Sequence, residues 1–183
     1  MTHGTHNALE DPRNKSVLIS INGELFPREE AKISVFDSGY LVGDGVWEGL
    51  RLHHGKLAFW DDHMDRLYQG AATIGMDIGK TRDELKEEIF KVIAANEMED
   101  GVHVRLMITR GIKKTPSQDP RLTISGPNIV IVAEQCIDRF KRMPVEGAHV
   151  TFNSSKFQEN RFRNFPHCSC PIATACEELP TDK

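Results

Sequence analysis

Three segments of this sequence carry arginines in settings where a guanidinium group can bind an anion. In the first, Gly43–Arg51, the alternation of an expected strand puts Trp47, Gly49 and Arg51 on one face. An arginine can bind a carboxylate through two parallel hydrogen bonds, and a glycine beside it leaves room for the ligand. The pattern predicts a carboxylate pocket with an aromatic wall. An exposed hairpin with a surface arginine has the same spacing, so that alternative stays open.

The second segment, His63–Leu67, belongs to an expected helix whose buried side contains Met64 and Leu67. Arg66 lies next to that side in the first part of the helix, where unpaired backbone amides and the helix dipole favour a bound phosphate. The alternative is an ion pair between Arg66 and Asp62, four residues earlier, on a solvated face.

The third segment is the alternating strand Val102–Thr109, whose second face carries His103 and Arg105. A binding site and a subunit interface would both supply partners for polar groups on a covered face. If this strand lies near the first, Arg51 and Arg105 face one concavity, with Arg66 at its rim. Like charges repel without an anion between them, so we expect an open, solvated cluster in which Arg66→Ala costs little stability.

The composition bounds the class of protein. The chain has 183 residues, of which 39% are hydrophobic and 27% charged, with a mean hydropathy of −0.42, as in globular proteins. A net charge of −4 argues against nucleic-acid binding through a basic surface, and no apolar run predicts a membrane span. Residues 1–16 resemble neither a secretory nor a mitochondrial signal, so we expect a disordered leader and a cytoplasmic protein.

The cysteines lack the paired CxxC spacing of a zinc site, so we expect free thiols and no metal. There are four of them: Cys136, Cys168, Cys170 and Cys176.

Hydrophobic periodicity predicts strands on either side of two helices. The helices are expected over Asp61–Ile74, capped by Asp61 or Asp62, and over Arg82–Asn96, which begins with a capping box. Asn22-Gly23 predicts a two-residue hairpin, and 113–127 a loop. This order predicts an α+β fold, with an antiparallel sheet and both helices on one face. Strands or extended pieces are expected at 17–21, 24–27, 31–36, 46–52, 57–60, 102–109, 128–133 and 149–152.

Together, the segments at 43–51, 63–67 and 104–111 resemble the N-terminal half of the class IV aminotransferases, the fold-type IV pyridoxal phosphate enzymes. The branched-chain aminotransferase-like members are the most similar. The resemblance implies an N-terminal domain of that fold over residues 17–152, pyridoxal 5′-phosphate as cofactor, an amino acid and a 2-oxo acid as substrates, and a homo-oligomer.

The resemblance also implies residue roles. Arg66 matches the arginine that binds the cofactor phosphate, and five residues match the substrate side of the cofactor: Trp47, Gly49, Arg51, His103 and Arg105. His103 stands where branched-chain enzymes often have a tyrosine, which affects substrate choice. The D-amino acid enzymes carry an Arg-x-His carboxylate trap after this strand, and Ile112–Thr115 lacks it.

The resemblance ends near residue 152. In the family, a lysine about a hundred residues beyond the phosphate arginine holds the cofactor as a Schiff base. The corresponding window, 161–166, has no lysine, and Lys156 is the nearest candidate. We therefore expect 153–183 to be an aberrant, poorly packed tail at the start of a missing second domain, and the chain to be a truncated transaminase with doubtful activity. Two alternatives stay open: a lyase of the aminodeoxychorismate type, and a non-catalytic fragment that acts through self-association.

Overall fold

One antiparallel sheet of six strands organises residues 11–136, which are the residues that this computed structural model describes. The strands lie in the order β2-β1-β6-β5-β3-β4, so β6, β5 and β3 are central. The predicted α+β class is confirmed. Their bounds are β1 Leu18–Ile21, β2 Glu24–Pro27, β3 Gly45–His53, β4 Lys56–Leu57, β5 Val102–Thr109 and β6 Asn128–Gln135.

The first hairpin joins β1 to β2 through the two residues that the sequence predicted. Asn22 and Gly23 both have positive φ, 54° and 87°, as the tight turn between right-twisted strands requires. Ile21 therefore pairs with Glu24 directly across the turn.

The expected extended piece at 31–36 is not a strand, and a short helix α1, Ser38–Val42, follows it. The cause is Asp37, which is fully buried and caps α1 through the Gly39 amide. Its other carboxylate oxygen accepts from Thr109 Oγ1 and Asn128 Nδ2. These partners are distant in the sequence, so local periodicity does not indicate the helix.

Helix α2, Trp60–Thr73, begins earlier than predicted and has a different cap. Its N-cap is Phe59 in the left-handed conformation, without a side-chain hydrogen bond. The predicted cap by Asp61 or Asp62 was therefore wrong: both acids fall within the first turn, where the helix dipole favours them. For the same reason the expected strand at 57–60 is wrong, since β4 stops at Leu57 and the chain turns into the helix.

Helix α3, Arg82–Ala95, confirms the predicted capping box. The Thr81 hydroxyl accepts from the Glu84 amide, and the Glu84 carboxylate accepts from the Thr81 amide. Its buried side is formed by Leu85, Ile89, Val92 and Ile93.

Both long helices cover the same face of the sheet, α2 over β3 and α3 over β6 and β1. The core lies between them: Leu50 of β3 pairs with Val104 of β5, which pairs with Ala133 of β6, and all three side chains are buried. Burying this apolar face is what holds the helices against the sheet.

Part of the expected leader is ordered, because the Asn14 side-chain amide exchanges two hydrogen bonds with the Gln135 backbone. The expected strand at 149–152, the tail at 153–183 with Lys156, and three of the cysteines lie outside the described residues. Cys136 is a free thiol. Among residues 11–136, no helix is long and apolar enough to cross a membrane.

Candidate active site

The face of β3, β5 and β6 turned away from the helices, called the open face below, carries five of the predicted site residues. The register pairs Gly49 with Arg105 and Arg51 with His103, while Trp47 lies one row further along β3. Arg51 and Arg105 therefore share a face, as the alternation of the two strands predicted.

The two arginines of the open face lack acidic partners within the part of the chain that the structure describes. Neither the Arg51 nor the Arg105 guanidinium forms a hydrogen bond or an ion pair with a carboxylate of residues 11–136. Arg105 instead stacks over the Trp47 ring, with its Cζ 4.1 Å from the ring centroid. A cation–π contact fixes the direction of the guanidinium without neutralising its charge. The pair is thus suited to bind an anion.

His103 lies between these arginines, above the space that Gly49 leaves. A Cβ atom at Gly49 would lie only 3.2 Å from His103 Cε1, so the glycine allows the ring to settle against β3. Burial lowers the pKa of His103, and the positive charges of Arg105 and Arg51 lower it further, against a smaller opposite effect of Glu134. The ring is therefore neutral near pH 7 and offers one donor and one acceptor.

Arg66 lies on the other side of β3 and does not join this cluster. Its Nε donates to Glu48 Oε1 at 2.6 Å, and its Nη2 donates to Glu48 Oε2. Glu48 alternates with Trp47 and Gly49 and therefore points toward α2. The structure does not bring the three arginines into the expected single cleft, and Arg66 binds Glu48 rather than the expected Asp62.

Glu48 and His63, which the sequence reasoning did not single out, complete this arrangement. Glu48 is 2% exposed, and His63 Nδ1 lies 2.7 Å from its Oε2. Burial would raise the pKa of Glu48, but hydrogen bonds from Arg66 and His63 lower it by more, so the carboxylate is ionised. A signal was present: Glu48 is a lone acid on the apolar face of its strand, and such a residue needs a partner.

The loop after β5 has a structural lysine where the D-amino acid enzymes have their carboxylate trap. Lys113 is 2% exposed, and its Nζ donates to the Asp119 carbonyl at 3.0 Å. Its amide also donates to the Phe36 carbonyl. This amine holds the loop closed, so it does not face the open sheet as a ligand-binding group.

The donor set suits anions rather than metal ions. Among residues 11–136, no three His, Cys, Asp or Glu side chains converge as a metal site requires. Three guanidinium groups and a neutral imidazole match the phosphate and carboxylate groups that the sequence resemblance implies.

Comparison with known proteins agrees with this geometry. Residues 45–135 match the family described as amino-transferase class IV. Branched-chain-amino-acid aminotransferase-like protein 1 of Arabidopsis thaliana is 41% identical over 127 residues, which are 69% of this chain and 23% of that protein. D-alanine aminotransferase of Listeria monocytogenes is 35% identical over 134 residues, which are 70% of this chain and 44% of that protein.

Solved structures of branched-chain aminotransferases have the same fold. That of Thermoproteus uzoniensis with norvaline has a TM-score of 0.58 and 28% identity over 66% of this chain and 41% of its own. The T.th. enzyme with pyridoxamine 5′-phosphate has a TM-score of 0.59 and 26% identity over 68% of this chain and 42% of its own. The chain spans less than half the length of each of these relatives and structures.

Proposed function

Because this chain belongs to the class IV aminotransferase family through residues 45–135, we propose that it is the N-terminal part of a pyridoxal phosphate-dependent transaminase. The reaction moves an amino group between an amino acid and a 2-oxo acid, with branched-chain amino acids as the first expected substrates. The observation that carries the proposal is the open face, where two arginines without acidic partners among residues 11–136 adjoin apolar residues.

The open face is divided in a way that suits a branched-chain amino acid. Trp47, Met107 and Val130 form an apolar row across the three central strands. The next rows contain Arg105 and then Arg51 with its partner His103. A substrate can place its side chain along the apolar row while its carboxylate accepts hydrogen bonds from an arginine.

The cofactor of class IV aminotransferases is pyridoxal 5′-phosphate, and pyridoxamine 5′-phosphate is bound in the T.th. structure. When bound, this cofactor supplies the carbonyl carbon that takes up the amino group and the ring that withdraws electrons from the substrate. We propose that Arg66 donates to the cofactor phosphate, while Arg51 and Arg105 orient the substrate carboxylate. Neutral His103 leaves the charge of the site to the arginines and offers one hydrogen bond.

A reaction assay on the purified 183-residue chain tests this proposal. The chain is incubated with pyridoxal 5′-phosphate, L-leucine and 2-oxoglutarate, and the expected product is glutamate. D-alanine in place of L-leucine tests the chemistry named for the Listeria relative. Borohydride reduction followed by mass spectrometry then identifies any lysine that holds the cofactor, with Lys156 the candidate in this chain.

The two alternative functions give different results in the same assay. A lyase of the aminodeoxychorismate type would release pyruvate from that substrate and form no glutamate. A non-catalytic fragment would form neither product and retain no cofactor after gel filtration, and its self-association would be the only activity measured. Either result would contradict transamination by this chain.

A further inference from the structure

A buried carboxylate holds the half-exposed guanidinium of Arg66 from behind. The Glu48 side chain is 2% exposed, whereas the Arg66 side chain is 52% exposed. Two hydrogen bonds join them through Nε and Nη2 of the arginine, so the plane of the guanidinium is fixed relative to β3.

His63 fixes the carboxylate in turn. Its side chain is 5% exposed, and its Nδ1 lies 2.7 Å from Glu48 Oε2. An ionised carboxylate only accepts, so Nδ1 carries the proton and donates it to Glu48. His63 and Arg66 are three residues apart on α2, and both reach the same acid from one helix face. Every side-chain oxygen of Glu48 thus has a donor.

Another bidentate pair shows what a purely structural arginine looks like in this chain. Arg110 binds Asp44 through Nε at 2.6 Å and Nη2 at 3.0 Å, and both side chains are mostly buried. Arg110 also donates to the carbonyls of Ile74 and Gly75 at the end of α2. Its donors are therefore satisfied inside the fold, whereas the Arg66 side chain remains half in solvent.

We propose that Glu48 and His63 are positioning residues that hold Arg66 in the orientation in which it receives the cofactor phosphate. This inference rests on the proposed function, because it takes a phosphate monoester as the ligand of Arg66. A flexible arginine loses rotamer freedom when it binds an anion, and an arginine that is already held loses less. Glu48 also partly neutralises Arg66, so removing the acid has two opposite effects on anion binding, and the proposal commits to the loss of positioning as the larger one.

The test compares pyridoxine 5′-phosphate with pyridoxine, which lacks the phosphate, in equilibrium dialysis against the 183-residue chain. Pyridoxine 5′-phosphate has no aldehyde and cannot attach to lysines, so the difference in affinity reports the phosphate contacts. We expect Glu48→Gln to weaken the phosphate-dependent part of the affinity about tenfold, in the range seen for outer-shell partners of ligand-binding residues. Asp44→Asn is the matched control, and it should lower the melting temperature while leaving the phosphate-dependent affinity unchanged.

A second measurement follows the arginine without any ligand. In ¹⁵N NMR spectra the Nε–H signal of Arg66, assigned with Arg66→Lys, should be sharp and protected from exchange in the unmodified chain and broadened in Glu48→Gln. If Glu48→Gln does not fold, Glu48→Asp retains the charge and shifts the carboxylate by one methylene. It should give the same changes in smaller measure.

The outcomes separate the positioning proposal from the proposed function. Equal or tighter phosphate-dependent binding by Glu48→Gln overturns the positioning role. If the unmodified chain binds neither compound, cofactor binding by this chain is contradicted. In that case an Nε–H signal lost only in the Glu48 variants supports the positioning of Arg66, and the same signal in all variants overturns it.

Discussion

Arg66 stabilises the fold more than its half-exposed position suggests. The sequence predicted that Arg66→Ala would cost little, but the structure shows that this change leaves the buried Glu48 carboxylate with His63 as its remaining hydrogen-bond donor. Hydrogen bonds to charged groups contribute about 1.5–3 kcal/mol, and solvent screening at the exposed guanidinium reduces that. We expect Arg66→Ala to lower the free energy of unfolding by about 1–2 kcal/mol in urea titrations.

Arg121→Ala is the control for this measurement. Arg121 also forms a bidentate pair, with Asp119, but its side chain is 87% exposed. Because water replaces the lost interaction, this variant should lose less stability than Arg66→Ala. Equal losses would contradict a special role for the buried acid.

Glu48 should make the chain sensitive to acid. Its pKa is lowered in the folded state, so its contribution to stability is fully present above the pKa of an unfolded glutamate, about 4.3. The contribution is lost as the pH falls through the lower folded pKa, since protonation removes the acceptor for Arg66. Urea unfolding across the acid range up to neutral pH should show a steeper acid loss for the unmodified chain than for Glu48→Gln. Parallel curves would count against this origin of the acid sensitivity.

His103 should act in a different pH window. Its pKa is lowered by burial and by the Arg105 and Arg51 charges, against the effect of Glu134, so below about pH 6.5 the unfolded chain binds a proton that the folded chain resists. Stability therefore falls as the pH drops from about 6.5 toward the folded pKa. His103→Asn should remove this part of the slope, and an NMR titration of the His103 Cε1 proton should give the lowered pKa directly. A pKa at or above the ordinary value would contradict the environment described for the ring.

At the scale of elements, α3 depends on its cap. The reciprocal hydrogen bonds of Thr81 and Glu84 satisfy amides at the start of the helix that packs on β6 and β1. Thr81→Ala should lower the free energy of unfolding by about 1 kcal/mol. Thr73→Ala is the control, because the exposed Thr73 hydroxyl donates to the Gln69 carbonyl within α2 and caps no helix. An equal effect of both variants would show that loss of a threonine, rather than of the cap, is measured.

At the scale of the whole molecule, the segment Ile33–Val42 predicts self-association. It exposes apolar side chains, including Val35 at 65% and Tyr40 at 73%. Exposed apolar surface of this kind is typical of contact sites. Sedimentation velocity should show concentration-dependent association that Val35→Glu with Tyr40→Ser weakens, while Ile74→Ser at the end of α2 leaves it unchanged. A monomer at all concentrations would rule out this contact.

The sequence by itself determined the elements whose signals are local. The Asn22-Gly23 turn, the capping box of α3 and the alternation of β3 and β5 all depend on residues within a few positions of one another. For the same reason, the presence of Arg51 and Arg105 on one face followed from period two once the strands were neighbours.

Only the tertiary structure decided which side chains meet across elements. Asp37 induces α1 because Thr109 and Asn128 lie beside it in the fold, and Glu48 binds Arg66 and His63 because α2 crosses β3 at that point. These contacts join residues 15 to 91 positions apart, and periodicity describes only the direction of a side chain from its own element. The sequence therefore indicated which residues carry the charges, and the packing of the helices on the sheet decided that Arg66 faces Glu48 rather than the two arginines of the open face.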